Sequence, residues 1–178
     1  MEADLSKGHK RGVIVNRVDL KKLAERIDEV TREKLSREQV VSLDQYRQLK
    51  TREEPHTVLV VDDDATVRKA IRRTLETEGF RVLTAADATQ LGRVIDEGPI
   101  ELFVLDVGLP WINGFELAGL IREQEALKEV PFIFVSGFKN ERDIKQGFAV
   151  GASDYLTKPF DPDELKRSVR TLLKLTSE

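Results

Sequence analysis

At 178 residues the chain fits one domain of ordinary size, or one compact domain with a small appendage, and is long enough to bury a core. Its 29 Lys and Arg against 32 Asp and Glu give a formal net charge of -3, which leaves no overall field to concentrate the protein on nucleic acid. Cysteine is absent, which excludes disulfides, thiolate nucleophiles and Cys-type zinc sites and is compatible with a cytoplasmic protein; no apolar run approaches the roughly 18 residues of a membrane span, and no apolar segment of a secretory signal follows residues 1–10.

Residues 1–55 read as a helical extension. They hold 13 Lys and Arg against 11 Asp and Glu, a local balance of +2 that leaves -5 for the remainder. Leu20, Leu23, Ile27 and Val30 recur at spacings of three and four after the candidate caps Asn16 and Asp19. A second segment begins near Ser36, with Gln39 as a capping-box partner and Val40, Leu43, Tyr46 and Leu49 as its stripe. Both stripes are narrow, so they are expected to pack on the larger domain or on another subunit, as in a homodimer. Two uses stand level: capping an exposed patch of the same chain, or dimerisation and partner binding. Beyond Lys10 and Arg11 there is no basic cluster to suggest DNA recognition.

The polar run at 51–56, with Pro55, marks a joint, and residues 56–178 form the second unit. Short apolar runs at 58–61, 81–84, 102–105, 132–135 and 155–157 alternate with helical stretches at 66–78, 87–97, 113–124, 140–150 and 162–175. Five strands each followed by a helix, with continuously apolar central strands, predict an α/β doubly wound fold around a five-stranded parallel sheet. Such folds bind ligands beyond the carboxyl ends of their strands.

The polar residues of interest fall at those ends. The first strand runs into Asp62, Asp63 and Asp64, and the third into Asp106. If the two strands are neighbours, at least two carboxylates converge, and crowded like charges call for protonation or a cation. An all-oxygen donor set selects Mg²⁺ or Mn²⁺ over zinc. The fourth strand adds the Ser136 hydroxyl and the fifth the Lys158 ammonium, followed by Pro159. Taken singly, each has a plainer use: Asp62 to Asp64 can cap a helix, Ser136-Gly137 can be a turn and Lys158 a surface lysine. Together, a carboxylate nucleophile, a hard cation, a hydroxyl donor and a mobile positive charge are the parts that phosphoryl transfer needs.

The segments VLVVDDD, VLDVGLPWINGFEL, PFIFVSG and GASDYLTKPFDPDEL make residues 57 to about 176 similar to the receiver (CheY-like, flavodoxin-like) domain of bacterial two-component response regulators. The resemblance implies that Asp106 is the phosphorylated aspartate, Asp62 and Asp63 the acidic pair, Ser136 the switch hydroxyl and Lys158 the invariant lysine. It further implies that Asp63, Asp106 and the Gly108 carbonyl ligate Mg²⁺, with Asp62 acting through a metal-bound water. Tyr155 matches the switch aromatic, although a half-buried strand aromatic fits its neighbours equally well.

The implied function is a phosphoacceptor response regulator. It takes phosphoryl from phosphohistidine on a sensor histidine kinase or histidine phosphotransfer protein and signals through protein contacts. Acceptance and hydrolysis are self-catalysed in such domains, which are not conventional enzymes. An interaction or dimerisation module acting largely without phosphorylation is the alternative. A small-molecule phosphatase is disfavoured because Gly108 stands where such enzymes commonly carry a second acid. Direct nucleic-acid binding is disfavoured by the acidic pocket.

Some positions depart from the common receiver pattern. Phe138 is bulky and apolar two residues beyond Ser136, Asn113 replaces a more usual aspartate and is expected to cap the next helix, and Trp111 is expected to be exposed near the pocket. A last helix opening at Asp161-Pro162-Asp163-Glu164 is expected to be firmly fixed by its cap, its N1 proline and its acidic first turn. The surface formed by residues 140–150, Tyr155 and this helix is the expected readout face.

Overall fold

The computed structural model describes residues 22–30 and 54–175. Residues 22–30 are helical and are called α1. From Thr57 onward the chain alternates β1 (Thr57–Val61), α2 (Ala65–Glu76), β2 (Arg81–Ala85), α3 (Ala88–Val94), β3 (Leu102–Leu105), α4 (Gly114–Glu123), β4 (Phe132–Ser136), α5 (Glu141–Ala149), β5 (Asp154–Thr157) and α6 (Pro162–Leu172). A short 3₁₀ turn, Ile95–Glu97, continues α3. The second stripe expected around residues 36–49 lies outside the described residues.

All strand pairs are parallel, in the order β2-β1-β3-β4-β5. The fold is a five-stranded parallel sheet flanked by helices, with an extra helix at its N-terminal side. Because successive strand residues face opposite ways, each apolar run feeds two cores. Val58, Val60, Val104, Ile133 and Val135 face α2 and α6 through Ile71, Leu75, Leu165 and Val169. Leu59, Val61, Phe103, Leu105 and Phe134 belong to the other core, with Leu91 of α3 and Phe115, Leu117 and Ile121 of α4.

That second core also takes Leu23, Ile27 and Val30, so the stripe of α1 is buried within its own chain. Arg26 reaches Asp96 at 3.0 Å, fixing α1 beside α3 and the 3₁₀ turn. Fully burying such side chains is worth roughly 1.5–3 kcal/mol each. Of the two uses open to this stripe, capping a patch of the same chain is the one seen. The docking site is at α3, which follows the β2 edge strand, whereas the expected readout face lies around β5 at the opposite edge.

Helix starts follow local chemistry. Asp64, Asp87, Asn113, Asn140 and Asp161 each cap a helix by accepting from backbone N–H groups of its first turn. The Asn113 and Asp161 expectations are met, with Pro162 in the first turn of α6. Gly79 and Gly151, at φ of 83° and 92°, let the chain leave α2 and α5.

Candidate functional site

β1 and β3 are neighbours, with Val61 in register with Leu105, so the residues that follow each strand lie side by side. Backbone bonds extend the ladder into the site: Asp62 N–H donates to Ala85 O at 3.2 Å and Asp106 N–H to Val61 O at 2.9 Å. Asp62, Asp63 and Asp106 can present carboxylate oxygens within 4.8 Å of one another. Asp62 is 1% exposed and Asp106 8%, while Asp63 faces outward.

Lys158 joins the two buried carboxylates. Its Nζ lies 2.6 Å from Asp62 Oδ2 and 3.1 Å from Asp106 Oδ2. Its backbone is anchored by an N–H bond to Ser136 O at 2.7 Å, and the Lys158-Pro159 peptide is cis. Burial works to lower the Lys158 pKa, but hydrogen bonding to Asp62 and the charges of both carboxylates outweigh it and raise the ammonium above its ordinary value. For Asp62 burial dominates and pushes the carboxyl up, against the Lys158 and Asp64 N–H bonds that stabilise the anion. The two shifts differ in balance because Asp62 is the more deeply enclosed; the pair is a charged lysine beside a carboxylate under electrostatic load.

The remaining oxygens are used unequally. Asp62 Oδ1 accepts from Asp64 N–H at 2.8 Å, and Asp106 Oδ1 from Gly108 N–H at 3.2 Å. Asp63 has no side-chain hydrogen bond or ion pair among the described residues. Oxygen donors on two rigid strand ends, one of them free, fit a small hard cation. Asp64 caps α2, so of the three consecutive aspartates one serves the helix and two the cluster.

Ser136 is fully buried at the end of β4, where its Oγ accepts from Phe138 N–H at 3.2 Å. Tyr155 is half-buried on β5, its hydroxyl donating to the Phe138 carbonyl at 2.9 Å, and burial raises its phenol pKa. The Phe138 ring is 47% exposed yet stands over Gly108: a Cβ added at that glycine would be 3.4 Å from Phe138 Cε2 and 3.7 Å from Asp106 Oδ2. Phe138 therefore walls one side of the space beside Asp106.

Four features escaped the sequence reading. Arg68, on the first turns of α2, donates to the Asp62 carbonyl at 2.6 Å and adds positive charge behind the cluster. A Cβ at Gly114 would come 2.2 Å from the Asp106 carbonyl oxygen and 2.6 Å from Val107 Cα, so this helix start presses on the Asp106 backbone. A Cβ at Gly147 would be 2.8 Å from Tyr155 Cδ2, so α5 makes room for that ring. Trp111, expected to be exposed, is half-buried instead, because its apolar body packs on the core and its indole N–H donates to Ala86 O at 3.3 Å. A glycine at a helix start beside a strand end is a readable sign of close approach; the partners of Arg68 and Trp111 are set by tertiary placement.

Residues 58–170 match the family model described as the response regulator receiver domain. The chain belongs to this family. The receiver is 41% identical over 121 residues to the transcriptional regulatory protein YvrH of Bacillus subtilis (strain 168), covering 67% of this chain and 50% of that protein. It is 38% identical over 122 residues to the aerobic respiration control protein ArcA of Escherichia coli (strain K12), covering 68% and 50%. The chain thus spans about half the length of these curated relatives. Among solved structures, the receiver domain of the sensor histidine kinase PA1611 from Pseudomonas aeruginosa PAO1, which holds a magnesium ion coordinated in its active site cleft, superposes with a TM-score of 0.61 at 28% identity, covering 68% of this chain and 99% of that one. Among the described residues, no helix is long and apolar enough to cross a membrane.

Proposed function

We infer that residues 56–178 act as a phosphoacceptor module that takes a phosphoryl group onto Asp106, and that residues 1–55 form a helical extension to it. The observation that carries this reading is the convergence of Asp62, Asp63 and Asp106 at two adjacent strand ends, with the Lys158 ammonium within 3.1 Å of two of them. Asp63, Asp106 and the Gly108 carbonyl are the residues that would hold Mg²⁺, with Asp62 acting through water, and the PA1611 receiver supports that choice of metal. Bound there, Mg²⁺ or Mn²⁺ supplies positive charge that offsets the anionic phosphoryl oxygens.

A carboxylate oxygen of Asp106 attacks the phosphorus of a phosphohistidine on a sensor histidine kinase or histidine phosphotransfer protein. The P–N bond breaks, and the imidazole keeps the electron pair and takes up a proton. Lys158, already seated between Asp62 and Asp106, balances the new charge on the acceptor side. The Ser136 hydroxyl turns to donate to a phosphoryl oxygen, and the loop after β4 follows with Phe138, whose carbonyl accepts the Tyr155 hydroxyl of β5. The Phe138 ring shields one flank of the acyl phosphate from water. While the phosphoryl group is in place the changed surface serves protein contacts, and self-catalysed hydrolysis later frees Asp106 and restores the starting surface.

Phosphoramidate, which carries the same P–N linkage, tests the chemistry directly. The chain with Mg²⁺ is expected to consume phosphoramidate and release inorganic phosphate, followed by phosphorus NMR. Asp106→Asn and chelation should each abolish it. Equal consumption by the parent and Asp106→Asn would overturn the assignment.

A further inference from the structure

The loop after β3 is tied to the helix on which α1 docks. Trp111 donates from its indole to the Ala86 carbonyl at 3.3 Å, and Ala86 gives its own N–H to Gln90 Oε1 at 3.0 Å in the first turn of α3. Gln90 N–H in turn donates to the Asp87 cap at 2.9 Å. Ala86 is therefore held through its carbonyl by the loop after β3 and through its N–H by α3. Against α3 and the 3₁₀ turn that continues it, Leu23 and Ile27 share a core with Leu91 and Ile95, and Arg26 pairs with Asp96.

We propose that α1 buttresses the phosphoacceptor loop, so that docking of α1 on α3 and binding of a divalent cation at Asp62, Asp63 and Asp106 are coupled through the Trp111–Ala86–Gln90 linkage. The proposal rests on the metal reading given above. Between Asp106 and the Asn113 cap the chain has no regular secondary structure, yet it carries Gly108 beside the cluster. Trp111, between Gly108 and Asn113, fastens it to the Ala86 carbonyl just before α3, and Ala86 N–H bonds Gln90 within α3. A loop pinned in its binding geometry has less freedom to lose when a ligand arrives, which tightens binding. α3 is short, running only from Ala88 to Val94, and α1 covers its flank. Undocking α1 loosens α3, and through Ala86 the Trp111 anchor. Linkage makes the effect reciprocal: whatever factor docking adds to metal affinity, metal adds to docking. This route runs to the β2 edge of the sheet, away from Ser136 and Tyr155 on β4 and β5, and gives the extension its own connection to the site.

The test uses the full chain, with Mg²⁺ as the probe, calorimetry for affinity and amide hydrogen exchange at 22–30 for docking. Arg26→Glu sets like charge against Asp96 and Glu29 while leaving the buried stripe intact, and Trp111→Phe keeps an aromatic ring but removes the N–H. Each variant is expected to weaken Mg²⁺ binding about fivefold. The double variant should be no weaker than the more affected single one, since both break the same linkage. Mg²⁺ should slow exchange at 22–30 in the parent and leave it unchanged in Trp111→Phe. Should Arg26→Glu leave exchange at 22–30 unaltered, Ile27→Asp, with circular dichroism to verify the receiver fold, takes its place under the same expectations. Normal Mg²⁺ affinity in a variant whose α1 exchanges faster, or effects that multiply in the double variant, overturn the coupling alone. Failure of the parent to bind Mg²⁺ overturns the metal reading and the coupling with it.

Discussion

Gly114→Ala sets two expectations of opposite sign against each other. At an exposed helix start with ordinary backbone angles, replacing glycine by alanine stabilises a protein by about 0.4–1 kcal/mol, because the unfolded chain loses freedom. Here the new Cβ would lie 2.2 Å from the Asp106 carbonyl oxygen, 2.6 Å from Val107 Cα and 2.9 Å from the Asp106 carbonyl carbon. Ordinary contact begins near 3.4 Å, so α4 or the end of β3 must retreat by about 1 Å, and both are backbone held by ladder and helix bonds. Overpacking of that kind costs about 1–3 kcal/mol, which exceeds the entropic gain, so the net expectation is destabilisation by about 1–2 kcal/mol. The displaced atoms belong to Asp106 itself. A misplacement near 1 Å at a reacting group costs about a hundredfold in rate, so phosphorylation should fall far more than the residual fold suggests. Urea unfolding gives the stability change, and single-turnover phosphorylation with acetyl phosphate gives the rate. A variant as stable as the parent and phosphorylated at the parental rate would refute the claim that α4 fixes the acceptor.

Gly147→Ala puts a methyl 2.8 Å from the Tyr155 ring, but the obstacle is a side chain that can rotate. The expected result is a modest loss of stability, about 1 kcal/mol, with loss of the Tyr155–Phe138 bond, seen as a changed tyrosine environment in near-ultraviolet circular dichroism. Asp62→Asn tests the electrostatic load. A carboxyl whose folded pKa is raised contributes stability below its unfolded pKa and loses it as pH rises through the folded value. The metal-free variant should therefore gain on the parent as pH climbs through the acid range, and the advantage should vanish near pH 3; urea midpoints against pH measure it. Its Mg²⁺ affinity at neutral pH should fall, by calorimetry. Ile27→Ala removes a side chain that is 1% exposed and should destabilise the full chain by about 2–4 kcal/mol, again by urea unfolding, whereas an undocked α1 would leave stability unchanged.

Most of the frame was legible in the sequence because it is periodic. Continuous apolar runs such as 102–105 and 132–135 require two covered faces, and their alternation with helical stretches then implies a parallel sheet between helical layers. Strand ends differed from the expectation by a residue or so, as at β2, which runs on to Ala85, and β5, which begins at Asp154. The placement of Asp62, Asp63, Asp106, Ser136 and Lys158 at strand ends follows from the same pattern, since each stands at or just beyond an apolar run. Long-range partners were not legible. Nothing near Trp111 in sequence points to Ala86, and nothing near Arg26 points to Asp96, because both pairings are decided by how helices lie on the sheet. Likewise, the stripe Leu23, Ile27 and Val30 states that a surface must cover it without stating whose.

The central claim is that Asp106 accepts the phosphoryl group, and intact-protein mass after incubation with Mg²⁺ and acetyl phosphate tests it most directly. One phosphoryl adduct in the parent, none in Asp106→Asn, and loss of the adduct on chelation is the predicted result. No adduct in a folded, Mg²⁺-binding parent beside a receiver that is phosphorylated under the same conditions, or an adduct that survives in Asp106→Asn, would contradict it.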